Sequence, residues 1–230
     1  GTRVVATPIT IGGAQTNVLA GANDLTFAGT VNLGGATRAF EVNNTGKTIL
    51  ANVVSNGGLT KNGNGTLLLN GTNTYVGATT VTGGTLGGTG VLFSAVSVGA
   101  GGNLAPGNSI GALTISNDLT LGGTFTAEVN TGSAPNCDQV VGVGNLIYGG
   151  TLAIVNNGPA LTTSAAFQIF SATTYNGAFT NGVTNGRAWY VVYGGMQDWN
   201  YRYVSNIEAT IELSNTKTPL QSTLPALWND

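Results

Sequence analysis

The chain has 230 residues, a formal charge of −2 and only 7% charged residues, against roughly 25% in an ordinary soluble domain. Glycine contributes 37 residues with no Gly-X-Y period, which excludes collagen, and a hydrophobic content of 41% argues against disorder. Seven scattered basic residues leave no electrostatic footprint for nucleic acid or an anionic membrane surface.

From Val4 to about Val155 the sequence reads as short β-strands broken by Gly and Asn, the residues that most easily supply a positive φ. Val4-Val5-Ala6-Thr7-Pro8-Ile9-Thr10-Ile11 is an uncharged strand-former, with Pro8 suited to an edge. One phrase then recurs: alternate apolar residues, one or two glycines, a threonine and an apolar residue. It occurs as LTFAGTV from Leu25, LTLGGTF from Leu119 and LIYGGTL from Leu146, with TVTGGTL from Thr80 as a looser copy. Degenerate repetition of this kind predicts stacked strand-and-turn units, about seven or eight coils of roughly 20 residues forming a rod about 35–40 Å long. Leu67, Leu69, Val81, Leu86, Leu119, Leu121, Leu152 and Ile154 are expected to point inward. Almost no segment carries a helical apolar stripe.

Composition changes after Asn156-Asn157-Gly158-Pro159, beyond which all three Trp and most other aromatic residues lie. The expected organisation is a repeat region over 1–155, a C-terminal β cap over 156–213 and an extended apolar tail over 214–230. A cap is physically reasonable, because the terminal coil of a solenoid exposes an unpaired edge and an open core. The sequence begins at Gly1 rather than Met, which suggests a processed export signal or an excised fragment. It contains no run of about 18 apolar residues.

Gly65-Thr66-Leu67-Leu68-Leu69-Asn70-Gly71-Thr72-Asn73-Thr74-Tyr75, continued by Gly77, Thr79-Thr80-Val81 and Gly83-Gly84-Thr85-Leu86, resembles the passenger-associated transport repeat of autotransporter passengers and related secreted surface proteins. Leu104-Ala105-Pro106-Gly107-Asn108-Ser109-Ile110-Gly111-Ala112-Leu113-Thr114-Ile115 resembles the segment found downstream of that repeat in the same proteins. The resemblance implies a right-handed parallel β-helix that is secreted and displayed on a bacterial surface, with adhesive or architectural roles common. It also implies a membrane barrel elsewhere in such proteins, and nothing here reads as one.

The chain has no histidine, so Ser-His-Asp, Cys-His and His-metal chemistry find no residues here. Glu208 and Glu212 alternate onto one strand face about 13 Å apart, too far to work as a catalytic pair alone. The lone Cys137 is expected to be a buried small apolar residue, and Asp138 and Asp198 read as turn caps rather than calcium ligands. Neither a metal nor a cofactor is expected. Trp199, Tyr201 and Tyr203 alternate along WNYRYV and, with Trp189 and Tyr193, could stack on sugar rings, form a subunit interface or fill the core of the cap. Val4, Val5, Ile9 and Ile11 at one end, with Leu220, Leu224, Leu227 and Trp228 at the other, are candidates for self-association or for capping their own coils.

The sequence therefore predicts an all-β protein, a right-handed parallel β-helix (β-solenoid) with an aromatic-rich C-terminal β cap. The expected function is non-enzymatic: a secreted cell-surface structural or adhesive element, self-assembling head-to-tail into filaments. The alternatives are a glycan-binding adhesin module and, third, a polysaccharide-active enzyme. The expected partners are further copies of the chain or a surface glycan, with no nucleic acid and no membrane insertion by this segment.

Overall fold

The computed structural model describes residues 1–160, 165–183, 189–194, 198–203 and 213–214. Every regular element among them is a β-strand. Nine strands stack in parallel in the first sheet, in the order Arg3–Val5, Leu25–Phe27, Lys47–Leu50, Thr66–Leu69, Gly84–Gly88, Gly102–Pro106, Thr124–Val129, Thr151–Asn156 and Asn181–Val183. The second sheet follows Ile9–Thr10, Val31–Val42, Val54–Asn62, Thr79–Val81, Val96–Val98, Leu119–Leu121 and Gln139–Tyr148. A third ladder of Thr72–Asn73, Val91–Leu92 and Ala112–Ile115 joins the second at Gln139–Tyr148, whose two halves pair with Ala112–Ile115 and with Leu119–Leu121. Successive rungs are thus two or three short strands long and turn at glycines. Parallel pairing runs past the change in composition, through Ala166–Phe179 and Asn181–Val183.

Register makes the interior columnar. Thr48, Leu67, Leu86, Leu104, Phe125 and Leu152 lie one above another in the first sheet, none more than 2% exposed. Each buried Leu contributes about 1.5–3 kcal/mol. All eight residues expected to face inward are buried. The adjacent outward column, Lys47, Thr66, Thr85, Asn103, Thr124 and Thr151, is polar. Asn103 donates to Thr85 Oγ1 in that column and accepts from Thr126 Oγ1 on the next rung.

Two cations interrupt the apolar columns of the second sheet. Lys61 stacks between Phe40 and Val81 and is fully buried. Its Nζ donates to the carbonyls of Asn62 at 2.8 Å, Gly63 at 2.9 Å and Gly83 at 2.9 Å, so all three ammonium hydrogens are used across two coils. Burial lowers its pKa to about 8. Arg38, in the neighbouring column above Leu59, donates to the carbonyls of Leu33, Gly13 and Gly34. Thr79 lies in that same column, and its hydroxyl is bonded to Tyr75 and to Ser94 inside the core. Replacing Lys61 by Met is expected to lower stability by about 2 kcal/mol. The apolar packing survives, but three carbonyls lose a charged donor, partly offset by no longer burying an ammonium. Chemical denaturation of the two proteins measures the difference.

Toward the last coils the filling changes from Leu and Val to aromatic rings. Phe125 lies 4.5 Å from Phe170, and Tyr148 lies 4.9 Å from Phe179, between ring centroids.

Candidate functional site

Ala166–Phe179 joins the coils to the C-terminal stretch. On one side it pairs in parallel with Gln139–Tyr148. On the other it pairs antiparallel with Asp198–Tyr203, in the register Phe167 to Tyr201 and Phe170 to Trp199. Trp189–Gly194 then pairs antiparallel with Asp198–Tyr203, placing Trp189 opposite Tyr203 and Tyr193 opposite Trp199. All five aromatic candidates therefore lie on one hairpin that extends the second sheet, and the direction of pairing reverses at that hairpin. Leu213–Ser214 pairs antiparallel with Ala178–Phe179.

The other expected site residues lie apart from this hairpin. Val4 is 61% exposed, and Val5, Ile9 and Ile11 are half-buried on the first coil. Leu220, Leu224, Leu227 and Trp228, together with Glu208 and Glu212, lie outside the described residues.

The titratable cluster with the most unusual environment gathers Asp138, expected to be a turn cap, and Cys137, expected to be buried, with Glu128, which the sequence did not single out. Asp138 is 1% exposed. Its two carboxylate oxygens accept the backbone N–H of Gly111 at 2.9 Å and of Glu128 at 2.8 Å, tying together two successive coils. Burial pushes its pKa up to about 7 against the pull of those two bonds, and the Glu128 charge adds to the rise. Glu128 Oε2 is itself buried without a hydrogen-bond partner. Beside them, Cys137 Sγ donates to the Gln168 carbonyl, and burial raises the thiol pKa to about 12. The thiol is therefore held in its protonated form at neutral pH. The sequence signal for this cluster was the Cys-Asp pair following the Ser-Ala-Pro turn, but nothing in the pattern placed Glu128 next to it.

Comparison with known proteins divides the chain. Residues 59–87 match the passenger-associated-transport-repeat family model. Residues 156–230 match the zinc carboxypeptidase family model. Among similar proteins, carboxypeptidase SOL1 of Arabidopsis thaliana is 51% identical over 51 residues, 22% of this chain and 10% of that protein. Carboxypeptidase D of Homo sapiens is 53% identical over 53 residues, 23% of this chain and 4% of that protein. Carboxypeptidase M of Mus musculus is 50% identical over 52 residues, 23% of this chain and 12% of that protein. The chain thus spans only a small part of the length of the relatives it matches.

These matches correct the sequence reading. The all-β class expected for the whole chain, a right-handed parallel β-helix with an aromatic-rich β cap, does not stand. The stretch taken for the cap is similar to part of a peptidase domain, which points to an α/β-type fold. The non-enzymatic structural or adhesive function, with its filament, glycan-adhesin and polysaccharide-enzyme variants, is overturned by the same matches, which point to a peptidase. The misreading has a physical cause. Alternating aromatic strands carry one signature whether they close a coil or belong to another domain.

The matched family takes its name from zinc. Zinc sites are assembled from imidazole and thiolate, with a carboxylate as an occasional member. This sequence has no His and one Cys, and that thiol is buried and held protonated. Among the described residues, no three of His, Cys, Asp and Glu come together. The residues present do not fit a zinc ion.

Proposed function

We propose that this chain serves a peptidase of the zinc carboxypeptidase type, supplying the part that residues 156–230 resemble and carrying it on stacked parallel β-coils. The match of that stretch, reinforced by identities of about one residue in two to several carboxypeptidases, carries the reading. Ala166–Phe179, itself within that stretch, pairs with Gln139–Tyr148 on one side and with Asp198–Tyr203 on the other, so the peptidase-like stretch is joined to the last coils through backbone pairing. Hydrolysis of a C-terminal peptide bond needs a base to take a proton from water. The acids of the matched stretch that are chemically able to take that role are Asp198, Glu208, Glu212 and Asp230.

The test uses the full gene product, incubated with peptides that differ at their C-terminal residue and followed by mass spectrometry. Loss of single C-terminal residues, abolished by a chelator, supports the reading. Intact C termini under all conditions refute it. With activity in hand, amide replacement of each of the four acids is expected to lower the turnover number by about 10²- to 10⁴-fold at one position and only slightly at the others.

We also place the protein outside the cell. The transport-repeat match over 59–87 and the low content of charged residues support export, and display at a bacterial surface is the finer form of that reading. Digestion of intact cells by an added protease, followed by blotting, checks it.

A further inference from the structure

We infer that residues 1–230 do not by themselves hold the zinc ion from which the matched family takes its name. The inference rests on the peptidase reading for its context but on the donor set for its content. Catalytic zinc is held in recurring three-ligand sets, His₃, His₂Glu or Cys₂His, and each needs at least one imidazole. The chain has none, and one cysteine cannot supply a Cys₂ set.

The carboxylates cannot substitute. In the coils, Asp24 Oδ1 accepts the Lys47 N–H, Glu41 Oε1 accepts from Asn43 and Asp118 Oδ1 accepts the Asn145 N–H, each on a different coil. Both oxygens of Asp138 are already committed to backbone N–H groups, which leaves Glu128 beside it as a single available carboxylate. In the matched stretch, the acids Asp198, Glu208, Glu212 and Asp230 offer oxygen alone, a set suited to hard cations such as Ca²⁺, Mg²⁺ or Mn²⁺ rather than zinc.

The test is metal retention by the 230-residue chain itself. Protein shown to be folded by its β circular-dichroism spectrum is dialysed against zinc chloride, then against metal-free buffer, and its zinc is measured by elemental analysis. The expected result is far less than one zinc per chain, with the same melting temperature in zinc and in chelator. Retention of close to one zinc per chain, with a melting temperature that falls on chelation, would overturn the inference. Metal content is read independently of released amino acid, so this failure and failure of the peptidase reading are distinguishable.

Discussion

Replacing Gly88 by alanine is expected to lower stability by about 4 kcal/mol, a large share of the 5–15 kcal/mol typical of a domain. Gly88 has φ +116°, a backbone conformation that L side chains rarely adopt. A Cβ there would lie 2.3 Å from the Leu69 carbonyl oxygen and 2.6 Å from the Leu69 nitrogen. Those atoms cannot retreat, because Leu69 is itself paired with Leu50 on the rung beyond. Gly88 and Gly107 also exchange two backbone hydrogen bonds, which fixes it from the other side. Backbone strain of about 1–3 kcal/mol and overpacking of about 1–3 kcal/mol add together at such a position. Gly12→Ala is the control, since an added Cβ there meets nothing within 4 Å. Urea midpoints should separate the two variants clearly.

The second large effect is a loss of stability with rising pH, on the order of 2–4 kcal/mol between about pH 4 and pH 8. An unfolded aspartate releases its proton near 3.8, whereas burial holds the Asp138 proton until about pH 7. Between those values the unfolded chain binds fewer protons than the folded one. Asp138's contribution is therefore fully present below about pH 4 and is lost as pH rises through about 7. Asp138→Asn removes the titration. Its amide oxygen satisfies one of the two N–H groups and its amide nitrogen opposes the other, so the variant is expected to be weaker at acid pH but flat across this window. Thermal melts of both proteins at several pH values decide the matter, and a parallel pH slope in the two would assign the effect to other groups.

Much of the coil architecture could be read from the sequence because one rule repeats. Alternation marks the inward residue and glycine marks the corner, so Leu67, Leu86 and Leu152 were assigned inward from parity alone. Lys61, two residues after Leu59, and Arg38, two before Phe40, share that inner face in the structure, which the sequence reading did not assign. The carbonyls at the coil corners explain why these cations can be buried. Asp138 was read as a turn cap, and its bonds to Gly111, 27 residues away, and to Glu128, 10 residues away across the intervening turn, do not show in the local pattern. The peptidase likeness was not legible at all. Its usual physical signal is a set of histidines, and the sequence has none. What remains in 156–230 is aromatic strands and isolated acids, which do not distinguish a peptidase fragment from a cap.

The two buried cations also bear on how such a stack finds its alignment. Rungs of near-identical sequence can pair one step out of place at little cost in apolar contact, an error open to any quasi-repetitive chain. Lys61 resists that slip, because its ammonium is satisfied only where the carbonyls of Asn62, Gly63 and Gly83 converge. Moved by one rung, it would face Val98 or Phe40 neighbours arranged for a different side chain, and an uncompensated buried charge costs several kcal/mol. Arg38 imposes a second, independent requirement one column away. Together they act as keys cut for particular locks, spending some stability so that the first coils can be threaded in only one order.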